Sequence, residues 1–88
     1  MTHSRGVTDL TQAIVKIKDL KLAEDFLRNI LTPKELDEIA LRLQIVKMLK
    51  KGIAQREIAK KLGVSIGTIS RGSRELQYGP PGFQKILS

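Results

Sequence analysis

The stretch that decides the fold is QREIAKKLGVSIGTISRGS, residues 55–73. Counted from Gln55, Ile58 and Leu62 fall on one side of a short helix, and Ala59 is small where a second helix has to come close. Gly63 stands at the turn between them, where a positive φ is easiest for glycine. Ser65 is a good N-cap for the second helix, and Val64 and Ile69 pack that helix back on the first. The spacing predicts helices over 55–62 and about 65–77, with ISRGS ending the recognition part of the second. Apolar residues at helical spacing also occur in an ordinary helical hairpin. The surrounding Lys50, Lys51, Arg56, Lys60, Lys61, Arg71 and Arg74 tip the balance toward a helix-turn-helix that binds DNA.

Upstream, LTPKE at residues 31–35 supplies a helix start. Thr32 caps, Pro33 takes the first helical position where its missing N–H costs nothing, and Glu35 completes a T-x-x-E capping box. This central helix runs to about Lys51 and is closed by Gly52. Leu36, Ile39, Ala40 and Leu43 define one of its faces, while Leu41, Ile45, Met48 and Leu49 spread toward another. An arc so wide expects burial from several sides, which in a chain of 88 residues favours a homodimer over a central helix in a monomeric bundle. Residues 8–30 continue the pattern as one long or two consecutive helices, with a break near residues 19–21. Downstream, YGPPG at residues 78–82 stops the second helix of the hairpin, and Phe83, Ile86 and Leu87 suit one last turn of helix. No segment alternates like a strand. The expected fold is all-α with about six helices in one domain over residues 1–88, residues 8–52 being mainly dimerisation core and 55–77 the DNA-reading head.

The charge is unevenly distributed. Residues 1–41 hold six basic and seven acidic side chains, net −1, whereas residues 42–88 hold ten and two, net +8. A basic half points toward polyanions, of which nucleic acid is the commonest. With no cysteine, disulfides, thiolate metal sites and cysteine nucleophiles are excluded. The single histidine, His3, falls in a start region expected to fray, leaving little material for metal binding or histidine catalysis. An enzyme is not expected, and neither is a bound cofactor or metal. No apolar run approaches a membrane span and the N-terminus has no signal-peptide core, so a cytoplasmic location is the default expectation.

In a helix-turn-helix the N-terminal part of the second helix meets base edges and the first helix crosses the backbone. The DNA-facing candidates are therefore Gln55, Arg56, Lys60, Lys61, Val64, Ser65, Ile66, Gly67 and Ser70. Ser65, Ile66, Gly67 and Ser70 are small enough for close approach but offer few long bidentate donors. Arg56 is the candidate for a guanine contact, and Lys60 and Lys61 for phosphates. Tyr78, Phe26 and Phe83 are the only aromatics, too few for the stacking platforms of single-strand binders. The expected partner is duplex DNA.

The segments LTPKELDEIALRLQIV and QREIAKKLGVSIGTISRGS, with the separation between them, resemble the tryptophan repressor family over about residues 31–76. The distinctive part is ISRGS, since helix-turn-helix proteins in general keep an apolar residue where Gly72 stands. The resemblance implies an intertwined homodimer that represses transcription from palindromic operators, with L-tryptophan as corepressor in a pocket beneath the reading head. By motif, Arg42 and Arg71 flank the indole ring, and Arg71 and Thr32 meet the carboxylate. Gly72 lets the ligand lie close to the backbone, and carbonyls near Asn29 and Leu31 receive the ammonium group. Guanidinium groups suit both roles, because they stack on aromatic faces and bind carboxylates. On the same resemblance, Arg71 and Gly72 end the recognition helix over the pocket. Glu75 departs from the family's serine. Its carboxylate could bind the ammonium more strongly, select another amine, or pair with Arg71 and Arg74. Outside the resemblance, Arg42 could form a surface salt bridge with Glu38, and Arg71 could contact a phosphate.

Other readings stand beside the corepressor-controlled repressor. One is a ligand-independent regulator of the same fold. Another is the DNA-recognition subunit of a transposase or recombinase, which would leave RGS unexplained. A helical partner-binding module is the last, and it gives the +8 half no purpose beyond solubility.

Overall fold

A computed structural model describes the backbone of residues 2–87 and the side chains of residues 5–87. Six helices follow one another among the described residues: α1 (Thr2–Val15), α2 (Leu20–Ile30), α3 (Pro33–Lys50), α4 (Gln55–Leu62), α5 (Ile66–Tyr78) and α6 (Gly82–Ile86). The all-α expectation holds. Residues 8–30 form two helices, and the first begins at Thr2 rather than near Thr8. The His3 side chain, and with it the reading made of it, lies outside the described side chains.

The chain falls into two compact units, residues 1–36 and 37–88. In the first, the break between helices is made by Asp19, whose carboxylate accepts from the Leu22 N–H at 2.8 Å and so caps α2. Along α2, Lys21–Asp25 and Glu24–Arg28 form exposed ion pairs one turn apart, worth a few tenths of a kcal/mol each. The capping box also forms. The Glu35 N–H donates to Thr32 Oγ1 at 3.2 Å and the Thr32 N–H donates to Glu35 Oε1 at 2.8 Å. None of the described side chains in this unit is buried, and Val7, Leu10 and Ile14 leave an exposed apolar stripe along α1.

The core lies in the second unit. Ile45 and Val46 of α3, Ile58 and Ala59 of α4 and Ile69 of α5 are the buried residues, and Leu41, Met48, Leu49, Ile53, Leu62 and Val64 pack around them. After Lys50 the chain reverses through a Schellman pair: the Ile53 N–H bonds to the Met48 carbonyl and the Gly52 N–H to the Leu49 carbonyl. Gly63 ends α4 in the left-handed conformation (φ 67°, ψ 37°), as the turn requires. Ser65 then caps α5, its hydroxyl accepting from the Thr68 N–H at 3.2 Å.

The second helix of the hairpin ends where YGPPG is expected to stop it, so the 65–77 reading holds. Corrected is the implication of the resemblance that Arg71 and Gly72 end it, since the helix continues without a break to Tyr78. Leu76, two turns beyond Ile69, falls on the same side of the helix and is half-buried, and helical φ and ψ are available to glycine. The stop is made by Gly79 and the two prolines that follow.

Candidate nucleic-acid interface and effector cavity

Helices α4 and α5 form the helix-turn-helix. Ser70 ties them together, its hydroxyl donating to Gln55 Oε1 at 3.0 Å across fifteen residues of sequence. Arg56, Lys60, Lys61, Ser65, Ile66, Gly67 and Ser70 are exposed, which leaves them accessible to a polyanion. Gln55 and Val64 are half-buried. Val64 packs against the core, and one acceptor of Gln55 is already engaged by Ser70. The Ser65 and Thr68 hydroxyls lie 2.9 Å apart, so the first turn of α5 is closed on itself by side chains as well as backbone.

The helical repeat gives α5 three faces. Ile69 is buried in the core, and Leu76, two turns on, is half-buried on the same side. Thr68, Arg71, Gly72 and Glu75 share another face and line a cavity of about 590 Å³. Ile66 and Ser70 lie on the third face, and Ser65 at the N-cap and Gly67 are exposed as well. The far side of the cavity comes from α3, which contributes Glu38, Leu41, Arg42, Ile45 and Val46, and Phe83 of α6 adds a third wall. The size suits a small organic ligand.

Four expected ligand residues, Arg42, Arg71, Gly72 and Glu75, are thus brought to one cavity. Thr32 and Leu31 are not among its lining residues; Thr32 is engaged in the capping box and Leu31 is the C-cap of α2. Among the described residues Arg42 makes no ion pair with Glu38, and Glu75 makes none with Arg71 or Arg74. The cavity therefore carries two cations and two anions that do not neutralise one another by direct pairing, over a floor of Leu41, Ile45 and Val46. Such a lining is matched to a ligand that is itself both charged and apolar.

Gly72 has a role that local sequence does not announce. A β-carbon there would lie 3.1 Å from Ile45 Cγ2, 3.8 Å from Leu49 Cδ1 and 3.9 Å from Val46 Cγ2. Glycine lets α5 approach α3 closely at the mouth of the cavity. Glu38, Thr68 and Phe83 line the cavity without belonging to the expected ligand set. The first two stand about one helical turn before Arg42 and Arg71, so helical spacing could have found them. Phe83 lies beyond a diproline turn and has no such signal.

A family model described as Trp repressor protein matches residues 5–88. The chain belongs to the Trp repressor family. Relatives include the Trp operon repressor homolog of Mannheimia succiniciproducens, 49% identical over 63 residues that make up 70% of this chain and 62% of that protein. The Trp operon repressor homolog of Chlamydia caviae is 38% identical over 87 residues, 98% of this chain and 86% of the relative. The uncharacterized protein YerC of Bacillus subtilis is 33% identical over 85 residues, 97% and 82% of the two chains. Against the Mannheimia and Actinobacillus succinogenes homologs the chain spans 62% and 60% of the relative's length. The crystal structure of a TrpR-like protein from Eubacterium eligens superposes with a TM-score of 0.84 at 38% identity, covering 93% of this chain and 84% of that one. This likeness agrees with the six-helix reading. No helix among the described residues is long and apolar enough to cross a membrane.

Proposed function

We propose that this member of the Trp repressor family is a sequence-specific, duplex-DNA-binding transcriptional repressor that acts as a homodimer with L-tryptophan as corepressor. The observation that carries the reading is the cavity between α3 and α5, on a different face of α5 from the exposed Ile66 and Ser70. A ligand held there touches α3 and α5 together, and so acts on the angle of the helix whose other side meets DNA. Coupling follows if the ligand binds the DNA-competent arrangement more tightly, since equal affinity would shift nothing.

Arg42 and Arg71 take the ring face and the carboxylate, as their planar guanidinium groups allow. Glu75, without an ion pair to either neighbouring arginine, receives the ammonium group. Thr32, Leu31 and the Asn29 carbonyl are ligand contacts that the family resemblance alone implies. On the DNA side Arg56 contacts guanine, Lys60 and Lys61 contact phosphates, and Ser65, Ile66, Gly67 and Ser70 meet base edges alongside Gln55 and Val64. The dimer is supported by the apolar stripe of Val7, Leu10 and Ile14, and by Ile39 and Leu43 of α3, all at least 42% exposed except Leu10 at 40%. A cytoplasmic setting accompanies a DNA-binding role.

The test is calorimetric titration with L-tryptophan of the whole chain and of Arg71→Ala, followed by operator binding with and without the amino acid. Saturable binding of one ligand per subunit, lost in the variant and accompanied by tighter DNA binding, is expected. DNA binding that ignores tryptophan would leave a ligand-independent regulator of the same fold.

A further inference from the structure

We infer that the C-terminal helix α6 is a wall of the effector cavity and that Phe83 contacts the effector ring directly, so that docking of the YGPPGFQKIL segment sets ligand affinity; this rests on the cavity being the effector site.

Phe83 lines the 590 Å³ cavity together with residues of α3 and α5. It also lines an adjoining apolar groove of about 390 Å³, with Leu43, Pro80, Ile86 and Leu87. Among the described residues, Phe83 and Glu75 alone border both spaces. Phe83 therefore stands between the cavity and the outer groove. It is half-buried and does not belong to the buried core. Its burial contributes less to holding α3, α4 and α5 together than that of Ile45, Ile58 or Ile69.

The segment is held in place by contacts from the two helices that build the remaining walls. The Lys50 ammonium group, at the end of α3, donates to the Leu87 carbonyl. The Gln84 side-chain amide donates to the Leu76 carbonyl of α5 at 3.1 Å. The middle and the C-cap of a five-residue helix are thereby tied, although a helix so short has little stability of its own. The turn that returns the chain is equally specific. A β-carbon at Gly79 would lie 2.6 Å from the Glu75 carbonyl oxygen and would collide with the Glu75 carboxylate. Pro80 and Pro81 then restrict the backbone immediately before α6. Glu75, a charged residue of the cavity, and Phe83, its aromatic residue, are thus positioned by one turn.

Aromatic rings in contact contribute beyond the apolar area they bury, and a ring facing a planar ligand adds selectivity for planar ligands. The experiment is L-tryptophan titration of the whole chain and of its Phe83→Ala and Phe83→Leu variants, by calorimetry and by the emission of the bound ligand. The protein has no tryptophan of its own, so all indole emission comes from the ligand. Phe83→Ala is expected to bind about tenfold more weakly and to leave the bound indole emitting closer to its wavelength in water, with Phe83→Leu between it and the parent. Circular dichroism and the melting temperature identify any variant that has lost its fold, and Phe83→Leu then carries the comparison. Unchanged affinity and emission in folded variants would overturn the role of Phe83 while leaving the effector site standing. Absence of saturable tryptophan binding in the parent chain would overturn both.

Discussion

Gly72 and Ile45 are in contact across the α5–α3 approach so closely that a β-carbon on Gly72 would stand 3.1 Å from Ile45 Cγ2. Ile45 is 2% exposed and has Val46 and Leu49 beside the same point, so it has little room to give way. Two effects oppose each other in Gly72→Ala. Helix propensity gains about 1 kcal/mol, whereas overpacking a filled interior costs about 1–3 kcal/mol. Overpacking is expected to win by about 1 kcal/mol, lowering the melting temperature by roughly 4–8 °C at fixed protein concentration. Gly67→Ala is the control, because its nearest neighbour would be Ser65 Oγ at an ordinary 3.7 Å. It is expected to leave stability unchanged or raise it, and the two thermal melts should move in opposite directions.

Ser65 separates capping from DNA contact. Ser65→Ala removes the acceptor for the Thr68 N–H and is expected to cost about 1 kcal/mol in chemical denaturation. Ser65→Asp restores an N-cap acceptor and should recover most of that stability. Its added negative charge on the exposed side of the hairpin should weaken binding to duplex DNA in an electrophoretic assay. Equal DNA binding by the aspartate variant would remove the start of α5 from the interface.

Lys60 is exposed in the last turn of α4 and is assigned to phosphate. Lys60→Ala should weaken specific and nonspecific duplexes by about the same factor and reduce the slope of log affinity against log salt by about 1. Loss confined to one operator sequence would reassign Lys60 to base reading.

The exposed stripe on α1 should be an interface between subunits. Ile14→Glu places a carboxylate at the C-terminal end of that stripe, where association would strip it of water without supplying a partner. Light scattering is expected to give twice the chain mass for the parent and a shift toward single chains for the variant. A parent that is monomeric at micromolar concentration would refute the homodimer.

Much of the architecture was legible from short-range pattern. The Thr32–Glu35 box, the left-handed Gly63 and the Ser65 cap each depend on residues within four positions, so reading a local stretch suffices to place them. Arg42, Arg71, Gly72 and Glu75 were also readable as one group, through the family resemblance of the two segments that carry them. The end of the recognition helix that the resemblance implied at Gly72 was misleading, because glycine interrupts a helix only where nothing else holds it, whereas the stop expected at YGPPG is where α5 ends. Buried Ile69 and half-buried Leu76 fall on the same side of the helix, one before and one after Gly72.

By itself the sequence determined the helical class, the positions of the caps and turns, and the concentration of positive charge in residues 42–88, because each is a property of neighbouring residues or of composition. Only the tertiary structure decided why glycine is favoured at residue 72 and which side chains enclose the cavity. The partners of Gly72 are 23 to 27 positions away on α3, and Phe83 reaches the cavity only after the chain has doubled back at Pro80 and Pro81. Contacts at such separations depend on how helices pack, and helical periodicity specifies which residues share a face without specifying what that face will meet.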